Sequence, residues 1–322
     1  MKRLLVAGMT ALALAACTEA AQVGEAPVAA PEPETPVAEP VDVVLAPLPA
    51  LFDCLRETGG VLVAAHRGGG APGYPENAVE TLQYGFDKGI RVFEIDVATS
   101  RDGVLFLHHD DRFGRTSQGN GYVSDTDWED VARVALKDTE GERTDFHPPK
   151  LTDALLWAKQ TGAILELDRK KTTGFREIAE AVKAAGAENN VLMISYTDEE
   201  AGTIAGIDRT LMMTASARGD RDMGKLEALG VDPERVVGWT GVAQPDVPAF
   251  ERLREIGVEP AFGTLGRAGE RLDDLYWEDG DGSEYQRLVD DGVVLIATDE
   301  PYRVAEWLEA DDAGWEACAK PQ

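Results

Sequence analysis

Four histidines occur in 322 residues, and two of them sit at the ends of apolar runs. His66 follows Val61-Leu62-Val63-Ala64-Ala65, and His109 closes Val104-Leu105-Phe106-Leu107-His108-His109. Between them lies Arg91-Val92-Phe93-Glu94-Ile95-Asp96-Val97, a buried-strand composition with two acids set into it. A strand repeats its side-chain direction every second residue, so Glu94 and Asp96 leave the same face. Two carboxylates on the inner face of an apolar strand are costly unless a cation meets them. No basic residue alternates with them, which points to a metal ion; the alternative is a structural ion pair with a nearby arginine. Ser100-Arg101-Asp102-Gly103 signals a turn. With Thr99 opposite Val104, Glu94 stands opposite His109, and opposed residues share a face. One hairpin then delivers two acids and an imidazole to one place. His108 points the other way, as packing or surface. His147, beside Pro148 and Pro149, reads as a loop residue.

Apolar runs alternate with amphipathic stretches along most of the chain. After the two strands above come Ala163-Ile164-Leu165-Glu166-Leu167-Asp168, Val191-Leu192-Met193-Ile194-Ser195, Thr210-Leu211-Met212-Met213, Arg235-Val236-Val237-Gly238-Trp239, a run over residues 258–262, and Val293-Val294-Leu295-Ile296-Ala297. Leaving out the hairpin return, these are eight strands with helical stretches between most of them. Repeated β-then-α units imply parallel strands, and eight of them close into a TIM-type (β/α)8 barrel. An open doubly wound sheet is the alternative. The barrel is preferred because His66, Glu94 with Asp96, Asp168 and Asp299 fall at the C-terminal ends of four different strands, where barrel enzymes keep their chemistry. Residues 100–149 then form an insertion after the second strand, over the mouth.

The order of motifs resembles that of bacterial glycerophosphodiester phosphodiesterases. His66-Arg67-Gly68, Pro75-Glu76-Asn77, Glu94-Ile95-Asp96-Val97, His109-Asp110 through Arg115-Thr116 and Gly119-Asn120-Gly121, Pro149-Lys150-Leu151 and Thr298-Asp299-Glu300-Pro301 carry the resemblance. It implies a barrel with an insertion, one divalent cation, and two catalytic histidines, His66 as base and His109 as acid or the reverse. Glu94 and Asp96 resemble two metal ligands. The family's third ligand is a Glu followed two residues later by Lys. Here that place reads Asp168-Arg169-Lys170, one methylene shorter, with Glu166 as a substitute on the same face. All-oxygen ligation suits Ca2+ or Mg2+. Arg67 can grip phosphate oxygens in a fork, and Lys170 adds a point charge. The implied reaction splits a glycerophosphodiester into glycerol 3-phosphate and an alcohol. The alternatives are a lysophospholipase D-type lipid phosphodiesterase and a catalytically silent envelope binding lipoprotein. Where the family often has a Trp-Thr-Val-Asn-like run on the seventh strand, this chain has Pro260-Ala261-Phe262-Gly263-Thr264-Leu265-Gly266, with Phe262 as apolar wall or plain core. The Asp- and Gly-rich residues 272–283 read as a mouth loop or a solvated linker.

A net charge of −28 argues against nucleic-acid binding and gives a phosphate substrate no long-range attraction, so the cations must be local. Residues 1–16 have a basic start and a short apolar run, as in a secretory signal. Leu14-Ala15-Ala16-Cys17 resembles the bacterial lipobox, implying lipidation at Cys17 and, with Thr18 next, an outer-membrane anchor facing the periplasm. Residues 17–50, rich in Ala, Pro and Glu, read as a tether, and residues 51–322 as one domain. The membrane is then met through the anchor only. Cys54 and Cys318 lie near the two ends of that domain, where an exported protein can bridge them.

Overall fold

The computed structural model describes residues 42–308 and 310–321. Nine strands form one sheet: β1 (Leu62–Ala65), β2 (Val92–Thr99), β3 (Leu105–Leu107), β4 (Ile164–Arg169), β5 (Val191–Ile194), β6 (Met212–Ser216), β7 (Val236–Trp239), β8 (Glu259–Gly263) and β9 (Leu295–Thr298). Their order is β1-β9-β8-β7-β6-β5-β4-β2-β3, and an added β1–β2 pairing closes the ring. Eight strands are parallel and β3 is an antiparallel outrigger on β2, so the barrel expected from the alternating runs is the fold observed. The helices are α1 (Leu48–Thr58), α2 (Val79–Asp87), α3 (Trp128–Val131), α4 (Leu151–Thr161), α5 (Phe175–Ala185), α6 (Asp198–Ile207), α7 (Asp220–Ala228), α8 (Val247–Glu255), α9 (Leu272–Tyr276), α10 (Ser283–Asp290), α11 (Pro301–Leu308) and α12 (Ala310–Cys318).

Strands buried on both faces read as continuous apolar runs, and alternation sorts their side chains into two cores. Phe93, Ile95 and Val97 of β2 pack outward with the helices. Val92, together with Leu62, Ile164, Leu192, Met212, Val237, Ala261 and Leu295, forms an inner layer to which all eight barrel strands contribute. Leu48, Leu51, Phe52 and Leu55 of α1 seal that layer from below. Following the inward file of β2 upward gives Val92, Glu94, Asp96; the file of β4 gives Ile164, Glu166, Asp168. Each is apolar where α1 plugs the barrel and acidic where it opens. The β2–β4 register sets Glu94 beside Glu166 and Asp96 beside Asp168.

Packing begins before residue 50, so the tether read as residues 17–50 ends sooner. Leu45 and Ala46 are buried, Val43 N–H donates to Lys159 C=O, and Asn189 caps the Leu48 N–H at 2.8 Å. The signal, Cys17 and most of the tether lie outside the described residues. Cys54 and Cys318 are joined in a disulfide that spans 264 residues and fastens α1 to α12. A cross-link of that span restricts the unfolded chain, so removing it with Cys54→Ala/Cys318→Ala should cost about 2–5 kcal/mol of stability. Thermal unfolding with and without reductant checks this: a melting temperature equal in both would deny the bridge a structural role.

Two sequence expectations change here. The β2–β3 ladder pairs Thr99 with Leu105 and Val97 with Leu107, one residue off the register inferred from the turn. Carried on, it would set Asp110 rather than His109 opposite Glu94, and His108 opposite Asp96, and the His108 N–H does donate to the Asp96 carbonyl. The ring of His108 is buried between Phe106 and Phe113 under the insertion. The ladder has ended by then, so His109 is free of strand alternation. Residues 272–283 are not a solvated linker either: they contain α9, and Asp273 is fully buried.

Candidate active site

Three carboxylates converge at the open end of the barrel. One ligand oxygen each from Glu94, Asp96 and Asp168 lies within 4.8 Å of the others, and all three residues are buried. The structure thus brings together the third acid in the Asp168-x-Lys170 pattern with the pair on β2. Glu166 lines the same cavity outside this trio. It has no ion pair with Lys170, whose Nζ donates to Asp96 Oδ1 at 2.8 Å and Asp168 Oδ2 at 2.9 Å. So a basic group does meet the acids, from the residue just after β4 rather than from their own strand.

One ammonium does not satisfy the cluster. Burial, then Asp96 and Asp168, push the Glu94 carboxyl well above its ordinary range. Burial also works against the charge on Asp96, but Lys170, His109 and Asn77 outweigh it and hold that group low. Burial alone lifts Glu166 to about 7. Asp168 Oδ1 is buried with no hydrogen-bond partner. An orphaned acceptor among hard oxygen donors fits a divalent cation held by Glu94, Asp96 and Asp168.

The loop after β1 supplies the other half. Arg67 adopts a left-handed conformation, φ 53°, ψ 32°, uncommon for a residue with a Cβ. Its N–H donates to Glu94 Oε2 at 2.7 Å, while its guanidinium Nη2 lies 2.8 Å from His109 Nε2 and Nη1 3.5 Å from Glu76. Arg67 Nε is buried without a partner. A phosphate would meet the unpaired donor of Arg67, and a cation the unpaired oxygen of Asp168. Asn77, also left-handed at φ 59°, grips Asp96 twice, accepting its N–H and donating to its Oδ2. Asparagine tolerates this conformation better than most residues.

Both imidazoles rest on carboxylates. His66 Nδ1 is 2.6 Å from Asp299 Oδ1, and its Nε2 is 3.9 Å from Glu94. His109 Nδ1 is 2.7 Å from Asp110 Oδ1. Asp110 is held in turn by Arg115, which forks onto Glu76. Burial opposes ionisation of Asp299 and Asp110, yet both are held well below the carboxylate range, Asp299 chiefly by His66 and Asp110 by Arg115 and His109. With Nδ1–H on Asp110, His109 Nε2 presents a lone pair to Arg67. The cavity enclosing these groups measures 410 Å³ and has an apolar far wall of Ile194, Trp239, Val242 and Leu265. Phe262 is not in that wall; it is fully buried, edge-on to Phe250.

The model of the glycerophosphoryl diester phosphodiesterase family matches residues 66–232, more than half of the 322. This chain belongs to that family. Among its relatives, the uncharacterized protein YqiK of Bacillus subtilis is 27% identical over 183 residues, covering 53% of this chain and 75% of that one. A probable glycerophosphodiester phosphodiesterase of Mycobacterium tuberculosis is 29% identical over 140 residues, covering 44% of this chain and 50% of its own. The crystal structure of a glycerophosphoryl diester phosphodiesterase from Parabacteroides distasonis superposes with a TM-score of 0.71 at 27% identity, over 83% of this chain and 93% of that one. A phosphodiesterase of Oleispira antarctica, solved with the product sn-glycerol-3-phosphate, shares the fold at TM-score 0.60 and 19% identity, over 79% and 99%. In this family member the carboxylate partners of the histidines have a sequence signal: Asp110 directly follows His109, and Asp299 directly follows β9, which pairs with β1. Asp273 carried none, because its contacts come from across the chain.

Proposed function

We propose that this phosphodiesterase hydrolyses glycerophosphodiesters to glycerol 3-phosphate and an alcohol with the help of Ca2+ or Mg2+. The observation that carries the reading is the meeting, in one cavity, of three buried acids with an orphaned oxygen and two carboxylate-backed imidazoles, with the Arg67 guanidinium reaching His109 at its edge. A divalent cation held by Glu94, Asp96 and Asp168 would acidify a bound hydroxyl and offset phosphate charge. Arg67 binds the phosphate oxygens through the donors it leaves unmet, and Lys170 keeps the acids ionised and in place. The glycerol 2-hydroxyl attacks phosphorus while the bond to the alcohol breaks; one imidazole takes the entering proton and the other supplies the leaving one. Water then opens the cyclic phosphate, with the imidazoles exchanging roles.

The geometry favours His109 as base and His66 as acid in the first half, rather than His66 as base and His109 as acid. What supports this is the lone pair that His109 Nε2 already offers to Arg67. His66, in contrast, borders both the inner cavity and the cleft outside it. Purified protein should release glycerol 3-phosphate from glycerophosphoglycerol and lose that activity in EDTA. Excess Ca2+ or Mg2+ should restore it. No release from any glycerophosphodiester under either metal would end the proposal. We also place the protein in the bacterial envelope, anchored at Cys17; the lipobox-like residues and the disulfide support this. Detergent-phase partitioning that persists in Cys17→Ser would argue against the anchor.

A further inference from the structure

We infer that the cleft on the outer side of His66 receives the departing alcohol, and that it suits an uncharged polyol such as glycerol or inositol. The inference rests on the hydrolytic reading above and names its leaving group. Two cavities meet at His66. The inner one contains the three acids and His109. The outer one, 450 Å³, runs between the loop after β1, Thr139 of the insertion, and the start of α11. Arg67 borders only the outer cleft, although its guanidinium reaches the inner His109. A phosphate within reach of Arg67 and both imidazoles therefore sits at the junction.

Displacement at phosphorus keeps the entering and leaving oxygens roughly in line. A glycerol hydroxyl approaching from the side of Glu94, Asp96 and Asp168 sends the alcohol out on the opposite side, into the outer cleft. His66 borders both spaces and is in place to protonate it.

The character of the cleft follows from its charges. Arg67, Arg271 and Arg303 are matched by Glu76, Asp299 and Glu300, so neither a cationic nor an anionic alcohol gains from the local field. Most of these groups are already engaged: Arg271 binds Asp274, Asp299 and Glu300, and Glu76 holds Arg115. Glu300 keeps its second oxygen, and Arg303 lies 3.9 Å over the Trp277 ring with no ion pair among the described residues. A donor and an acceptor three residues apart in the chain, both lining the cleft, suit hydroxyl groups. A trimethylammonium group is better served by several aromatic faces. Here the single aromatic side chain is Tyr302, whose hydroxyl is turned to the Gly69 carbonyl.

The test compares kcat and KM of the metal-loaded protein on the glycerol 3-phosphate diesters of methanol, glycerol, inositol and choline, for wild type, Ala71→Phe and Thr139→Phe. Ala71 and Thr139 border the cleft and touch none of the groups assigned to chemistry; both Ala71 backbone groups are bonded to Tyr74, which holds the loop in place. Each variant should lower kcat/KM on the inositol diester about 10-fold or more, mainly through KM, because an added ring occupies the space of the alcohol. The methyl diester should be turned over as by wild type, which also reports that the variant is folded. Wild type should prefer the polyol diesters to the choline diester. Equal losses on methyl and inositol diesters in both variants, unchanged inositol turnover in both, or a preference for choline would each overturn the subsite. Turnover of the methyl diester by wild type keeps those outcomes separate from failure of the hydrolytic reading.

Discussion

His66→Ala should lose roughly 10²–10⁴-fold in kcat on a glycerophosphodiester with an alkyl alcohol, the range that one positioned proton transfer typically supplies. It should recover most of that loss on the p-nitrophenyl diester, whose phenolate departs without a proton. His109→Ala should be impaired on both substrates, because a better leaving group does not remove the proton from the attacking hydroxyl. The asymmetry follows from the two environments. His109 is fixed through Nδ1 by Asp110, and its Nε2 accepts from Arg67. His66 is fixed through Nδ1 by Asp299, its Nε2 lies 3.9 Å from Glu94, and it borders both the inner cavity and the outer cleft. Neither substitution orphans a buried charge. Asp299 keeps Arg271 and the Gly266 N–H, and Asp110 keeps Arg115. Both variants should therefore melt close to wild type. The reverse pattern, with His109→Ala rescued by p-nitrophenol and His66→Ala not, would make His66 the base and His109 the acid.

The sequence disclosed those features that depend on local periodicity. Alternation along β2 and β4 was enough to place Glu94, Asp96, Glu166 and Asp168 on one face. Eight β-then-α units were enough for the barrel. The hairpin register was a different matter. A turn residue pattern fixes a ladder only to within one position, and here a one-residue shift reverses which of His108 and His109 opposes the acids. His109 reaches the site because β3 stops at Leu107, a stop set by the insertion that buries His108 against Phe106 and Phe113. Nothing local to the hairpin encodes that. Lys170 illustrates a second kind of miss. Its two-residue offset from Asp168 was visible, but its engagement of both Asp96 and Asp168 depends on the lateral register of β2 and β4. Asp273 is the clearest case, an acid in a Gly- and Asp-rich stretch whose composition suggests solvent.

That residue leads to the second large effect. Asp273 is fully buried, and its oxygens accept from the Tyr285 hydroxyl at 2.6 Å, the Thr298 hydroxyl at 2.7 Å and the Asp299 N–H at 2.8 Å. Asp299 in turn holds His66, with Arg271 and the Gly266 N–H on its other oxygen. The His66 imidazole is thus oriented by a relay rooted in α9 and α10. Asp299→Asn keeps the shape but can present an amide N–H to His66 Nδ1, which disfavours the tautomer with its proton there. In a serine protease the equivalent exchange costs about 10⁴-fold in kcat. A partly exposed pair should lose less, about 10²-fold, with KM little changed, since Asp299 is not among the groups assigned to binding phosphate. Asp273→Asn should act through stability instead, because it weakens charge-assisted bonds to three donors, each worth about 1.5–3 kcal/mol. Steady-state kinetics of both variants, with melting curves, separate the two effects. If Asp299→Asn melts as wild type and turns over as fast, His66 does not depend on its carboxylate, and the role assigned to that imidazole would need another source of orientation.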